Sequence, residues 1–577
     1  MSHFVDERVP EASRRAREVT IIAQDPSVRD ADGKTIRAAV SIPVDLLEPG
    51  PRGQRFHVVD YDAGLGKLAK PCVFLDPEAE KAERGWTFVD RFVEASDTEL
   101  ETSATFHAQN VYAIAARTLA VFEFALGRRL SWGFSGHQLY LVPHAFREAN
   151  AYYSAEDRAL LFGYIDAAGG ERVYTCLSHD IVAHETTHAV LDGLRPRFLQ
   201  PGLPDQGAFH EGFADIVALL SVFSVGSLIE SALGSADARG RIQAASVAPK
   251  KLEKNVLFRL AKQFGEATSG VRGSALRRSL ELPTGGGWRA DPAFEEVHRR
   301  GEVIVAPMLR ALLRMWTGRL DALIYRGGLD RARAAEEGAK AAKHLLHMAI
   351  RAIDYAPAVE LEFEDFLDAM LVADEVVAPD DQHRYRDSVR TAFAEFEIEQ
   401  PDHPVISLAK QPLLYSNINY VALRSDPNEV FRFIWHNAEL LGIDREYYLR
   451  IESVRPSVRV GPDGLVVNET VADYVQTLNA SVAEARKLGV DVPADIRNDL
   501  QLQFWGGGTL IFDQFGMAKF HQQKPLNDWK RQTQRIAYLI RHGYYDGSGR
   551  LGFSFGTPRG LRFAEFHESD TRVGEDW

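Results

Sequence analysis

The sequence predicts an α+β protein with a β-rich N-terminal part (1–104), a core at 105–400 around a helix bearing H-E-x-x-H, and a small α/β domain at 405–577. Three observations predict it. Before residue 100, apolar residues alternate with a period of two, the pattern of half-buried strands. From Ser103 to about residue 397 they recur mainly at helical spacing. Beyond Gln400-Pro401 hairpin signals return, mixed with helical runs.

The elements follow in order. Val19–Ile22 and Ile36–Ile42 flank Asp32-Gly33, a hairpin turn signal, and Phe56–Val59 is a further short apolar run. Val111, Ile114, Ala115, Val121, Phe122 and Ala125 then mark one long helix that Gly127 stops. A β-like stretch at Gln138–Pro143 precedes Asn150-Ala151-Tyr152-Tyr153. Helices are expected at 179–192 and 208–222, a Gly-, Arg- and Ser-rich loop at 264–294, and a helical lobe at 302–316, 331–353, 362–374 and 382–397. In the last domain, Gly461-Pro462-Asp463-Gly464 marks a hairpin within Ser457–Thr470, and Asp513–Gly516 marks another within Thr509–His521. Val471–Leu488 and Asn527–Arg541 read as helices, the second stopped by Gly543.

Composition narrows the function classes. The 577 residues carry 81 acidic and 67 basic side chains, a formal charge of −14, with 45% hydrophobic residues. Such a chain builds a core without disulfide staples. A diffuse acidic excess argues against nucleic-acid binding, which needs a basic face. Two cysteines, Cys72 and Cys176, exclude a multi-cysteine zinc ribbon. The N-terminus shows no apolar signal region, and the longest apolar stretch, Val217–Ile229, is too short to span a bilayer. No membrane association and a cytoplasmic location are therefore expected.

The strongest chemical signal is His184-Glu185-Thr186-Thr187-His188. It lies in the apolar run Ile181–Val190, which has no helix breaker before Gly193. Residues four apart share a helix face, so both imidazoles can reach one ion, and Glu185 sits on the same rim as a base for a water. A catalytic zinc needs a third protein ligand. Leu191 and Leu194 occupy the places where H-E-x-x-H-x-x-G-x-x-H has its glycine and third histidine, so that pattern fails. His210-Glu211-Gly212-Phe213-Ala214-Asp215 supplies the alternative. Glu211 can bind the ion while Asp215, four residues on, accepts the outer N–H of a ligand histidine. His344 and His347, three apart on a helix, show no acid partner in sequence and read as structural.

These two motifs and their flanks resemble the thermolysin-like neutral metallopeptidases, the M4-type gluzincins, over about residues 105–398. The resemblance implies a zincin core, zinc held by His184, His188 and Glu211, Asp215 behind a ligand histidine, and Glu185 as general base. Asn150-Ala151-Tyr152-Tyr153 is similar to the family's edge strand, implying that Asn150 and the backbone of Ala151 hold the substrate main chain. Ser274-Ala275-Leu276-Arg277 is similar to the stretch whose arginine binds a substrate carbonyl, which points to Arg277. Glu296-Val297-His298, ahead of a helix starting near Glu302, is similar to the site of the histidine that stabilises the tetrahedral intermediate, which points to His298. Leu276 and Ile181 would help line an apolar S1′ pocket.

The chain also departs from that family. The oxyanion tyrosine is absent from 189–210; Phe198 lies near its place, with Arg195 and Arg197 as substitutes. Val217–Phe223 lacks a carboxylate of the family's calcium cluster, leaving Asp180 as a remnant and arguing against calcium. The expected activity is zinc-dependent endopeptidase action on a peptide or protein substrate. A peptidase-like protein that binds without cutting is the alternative, and a zinc hydrolase of non-peptide amides is a third reading. Residues 405–577 resemble no named family and are expected to govern access or partner choice.

Overall fold

Alternation at the N-terminus does produce strands. In the computed structural model, β1 (Ala16–Ile22) pairs antiparallel with β2 (Arg37–Pro43), Val19 opposite Val40. Residues 16–30, 33–73, 89–166, 172–252, 278–402, 404–462 and 464–545 are described. Asp32, Asp463, Leu276 and Arg277 lie outside them. Helices and strands are both plentiful, as expected of an α+β chain.

A second sheet carries the edge that matters for the site. Its strands are β3 (Phe56–Val58), β4 (Leu139–Phe146), β5 (Ala151–Ser154), β6 (Ala159–Asp166) and β7 (Arg172–Tyr174). β3 and β6 flank β4 in parallel; β5 and β7 pair antiparallel with β6. Among the described residues β5 is paired along one side only, so its other edge can take a further strand.

The helices form the bulk of the core. They are α1 (Ala104–Leu126), α2 (His179–Leu194), α3 (Pro204–Phe223), α4 (Val297–Leu320), α5 (Arg331–Tyr355), α6 (Phe363–Val377) and α7 (Tyr385–Ala394). Ser103 caps α1 through its side chain, and Gly127 ends it in the left-handed region at φ 65°. α2 is buried on all sides, packed between α1 and α3. Its hydroxyls are satisfied internally: Thr186 donates to Val182 O and Thr187 to Ala183 O.

The helix bearing His298 starts at Val297 rather than near Glu302. Glu296 is the reason: its carboxylate accepts the backbone N–H of His298 and Arg299, at 2.9 and 2.6 Å, and caps the first turn. His298 therefore rides on the helix. Close packing then aims it. A Cβ on Gly301 would lie 3.0 Å from Gly212 N, and one on Gly212 would lie 2.7 Å from Gly301 O. Two glycines let α3 and α4 cross at backbone distance, bringing His298 over Glu211.

The C-terminal region forms an antiparallel five-stranded sheet. Its elements are β8 (Ile406–Ser407), α8 (Pro427–His436), β9 (Tyr448–Val460), β10 (Val466–Ser481), α9 (Val482–Lys487), β11 (Gln501–Asp513), β12 (Ala518–Lys524) and α10 (Trp529–Arg541). The sheet order is β8-β12-β11-β10-β9. This corrects the helix expected over Val471–Leu488: the chain stays extended to Ser481, and only 482–487 is helical. Residues 469–476 are buried on both faces of a central strand. Such a strand shows a continuous run rather than alternation, which periodicity does not separate from a buried helix.

This sheet is fastened to the helical core by buried ion pairs. Arg195 meets Asp473 at 2.6 Å, Arg459 meets Asp354 at 2.8 Å and Arg535 meets Glu360 at 2.6 Å. Lys524 sits 2.7 Å from both Glu362 and Asp365. Removing one member of such a pair leaves a buried charge, at a cost of about 3–5 kcal/mol. Among the described residues no single helix is long and apolar enough to cross a membrane.

Candidate metal centre

The two motif histidines sit one turn apart on α2 and point the same way. Their Nε2 atoms are 2.9 Å apart, and both rings are buried. Each outer nitrogen has a partner. His184 Nδ1 donates to Asp215 Oδ1 at 2.9 Å, and His188 Nδ1 lies 2.9 Å from His210 Nδ1. With its proton on Nδ1, His184 presents a lone pair at Nε2, and His188 does the same when its Nδ1 is the donor to His210.

Glu211 completes the group from α3. Its Oε2 lies 3.5 Å from His184 Nε2 and 3.6 Å from His188 Nε2, and all three donor atoms fall within 4.8 Å of one another. That oxygen is buried and has no hydrogen-bond partner of normal geometry among the described residues. Burial opposes ionisation of Glu211, but the neighbouring His188 and His298 rings and the contact with His184 outweigh it, holding the carboxyl well below its usual range. Burial, with His188 beside it, keeps His210 well below the ordinary histidine range, so this ring is neutral. Two imidazoles and one carboxylate around a common point form a donor set that a divalent transition metal fits.

His298 approaches from α4, its Nε2 3.5 Å from Glu211 Oε2. Its Nδ1 lies 2.8 Å from Glu296 Oε1, so the residue that caps the helix also orients the ring. With Nδ1–H given to that carboxylate, Nε2 donates only when the ring is doubly protonated. Glu296 favours that form: despite burial, its bond to His298 holds its carboxyl below the ordinary value.

Asn150 precedes β5, and its Oδ1 accepts Ala151 N–H at 2.8 Å. β5 packs on α2, and Tyr153 ties the two by donating to Asp192 at 2.9 Å. The open strand edge thus runs beside α2. Ile181 is buried in the core. Arg277 lies outside the described residues; its neighbour Arg278 bonds Glu302 at 2.8 Å, one turn beyond His298. Glu302 is buried, which pushes its carboxyl up to about 7 against the pull of Arg278 and Arg299.

The two arginines offered for the missing tyrosine point elsewhere. Arg195 bonds Ile353 O, Ala356 O and Asp473, and Arg197 pairs with Glu452 while stacking over Trp505 at 4.2 Å. Both serve the contact with the C-terminal sheet. The phenols beside the site come from that region instead. Tyr538 on α10 and Tyr544 after it line a cavity of about 50 Å³ with Phe198, His210, Glu211 and Val297. The Arg541–Glu295 ion pair and a His542–Glu295 contact hold α10 against the segment leading to His298.

Other sequence expectations resolve simply. Asp180 accepts from Ser178 Oγ at 2.6 Å. Both cysteines are free thiols. His344, expected to lack an acid, has Asp374 at 3.3 Å, because that residue is brought in from α6, thirty positions away. The sequence assigns no role to His210, Glu296 or Tyr538. Their positions next to Glu211 and two before His298 were the only signals for the first two, and nothing local marks Tyr538.

No protein-family model matches the chain, and no curated protein matches it.

Proposed function

We propose that the chain is a zinc-dependent endopeptidase, with His184, His188 and Glu211 holding the ion. The observation that carries this is the convergence of three buried donor atoms within 4.8 Å, with Glu185 next to the first of them in the chain. Zinc held there would polarise a carbonyl and lower the pKa of a water towards about 7. Glu185 takes the proton of the attacking water and passes it to the leaving amine. His298, held by Glu296, would donate Nε2–H in its doubly protonated form to the oxygen that gains charge. The open edge of β5 offers backbone partners to an extended peptide, which favours a peptide over a compact amide substrate. The resemblance to thermolysin-like peptidases agrees with each of these assignments. The test is a quenched peptide library with and without a chelator, alongside zinc analysis of His188→Ala. Chelator-sensitive cleavage and loss of about one zinc per chain are expected. Undiminished zinc in the variant would sink the ligand set, and a zinc-loaded wild type that cuts no peptide would sink the activity.

A further inference from the structure

A second cluster lies in the core, built from three different elements. His107 is on α1, His144 on β4, and Cys176 in the turn Thr175–Leu177 just before α2. All three are buried, and their donor atoms lie within 4.8 Å of one another. His107 Nδ1 and His144 Nε2 face each other at 2.8 Å.

The outer nitrogens decide what that contact is. His107 Nε2 lies 3.0 Å from Glu101 O, and His144 Nδ1 lies 2.7 Å from Asp60 Oδ1. A carbonyl and a carboxylate only accept, so both outer nitrogens carry the proton. The two inner nitrogens are then bare lone pairs, and two lone pairs at that distance repel. A cation between them removes the conflict. A shared proton would do so as well, but it would leave Cys176 no part in the contact. The arrangement, with a carboxylate and a carbonyl behind two imidazoles, is the one that orients histidine ligands on a metal.

We propose that His107, His144 and Cys176 form a second metal site, for a borderline-soft ion that accepts imidazole and thiolate, with zinc as its occupant. Cys176 gives up its thiol proton to solvent as the ion binds, and Asp60 holds the His144 ring through Nδ1–H. Tyr174 packs on both rings, at centroid distances of 4.5 and 5.1 Å, and Tyr164 covers His144 at 6.1 Å. The site's role is a cross-link: it ties α1, β4 and the entry to α2 at one point, three residues before the metal helix begins.

The two sites differ in one spectroscopic respect, because only this one contains sulfur. The full chain is produced in zinc-depleted, cobalt-supplemented medium, then analysed for metal content and for the thiolate-to-cobalt charge-transfer band in the near ultraviolet. Two cobalt ions per chain and a clear band are expected. Cys176→Ser and His144→Gln should each lose the band and one ion. Cys72→Ser should keep both, and His188→Ala should keep the band while losing one ion. A wild type that shows no band overturns the proposal, as does a band that disappears in Cys72→Ser. Those outcomes need no folded Cys176 variant. Loss of the first ion alone would count against the peptidase centre and leave this one standing.

Discussion

His184 and His188 face each other across one turn of a single helix; His107 and His144 face each other between a helix and a strand. In both pairs the inner nitrogens are under 3 Å apart, and each outer nitrogen has a partner that fixes the ring. The surroundings differ. The first pair has Glu185 next in the chain, His298 above, and a cavity lined by Tyr538 and Tyr544. The second is boxed in by Tyr164 and Tyr174 and has a thiol where the first has a carboxylate. On the proposed readings, the same ligand-orienting contacts would serve chemistry where a base and an oxyanion donor are added, and cross-linking where they are not.

The largest expected effect separates those two additions from metal binding itself. Glu185→Gln keeps the shape of the side chain and both ions but removes the proton acceptor. Peptide hydrolysis should fall about a thousandfold or more, with zinc content unchanged. Near-wild-type turnover would put the chemistry elsewhere in the molecule. Next comes His298→Ala. If the ring acts only on charge that develops during reaction, kcat should fall about a hundredfold while KM stays within a small factor. A large rise in KM at constant kcat would instead make His298 a substrate-binding residue.

The same contrast explains how much was legible beforehand. His184 and His188 are four apart on one helix, so local periodicity alone places them together. Asp215 and Glu211 follow by the same rule on the next helix. His107, His144 and Cys176 are separated by more than thirty residues each, and only the tertiary fold joins them. Burial on both faces hid β10, and α4 began early because a glutamate caps it, a residue type less often read as a cap. The place expected for the missing tyrosine lies near Phe198, whereas the phenols that line the cavity belong to a segment more than three hundred residues further on.

A smaller effect sharpens the comparison from the other side. Asp60→Asn leaves the donor atoms of the second cluster in place but weakens the group that holds the His144 ring. Cobalt affinity there, followed by the thiolate band, should drop about 10- to 100-fold. Metal content at the first cluster should stay as it was. An unchanged titration would mean that Asp60 does not orient the ring.

The smallest expected effect concerns the wall that only the first cluster has. Cutting the chain near Gln400 is a poor way to ask what that wall does. The cut would strip the buried Glu360 and Asp365 of Arg535 and Lys524 and leave Asp354 with Arg128 alone, and the remaining core should unfold. Tyr538→Phe asks the question without that damage. It removes one hydroxyl from a cavity shared with His210 and Glu211 and keeps the packing of α10. Should the phenol bond the substrate alongside His298, kcat/KM for peptides should fall about tenfold, near the worth of one hydrogen bond, while zinc content and thermal midpoint hold. If the C-terminal region only shapes the entrance, cleavage of short peptides should be unaltered and the preference among longer ones should shift. Loss of zinc in this variant would contradict both roles, since Tyr538 would then be supporting the ligand set itself.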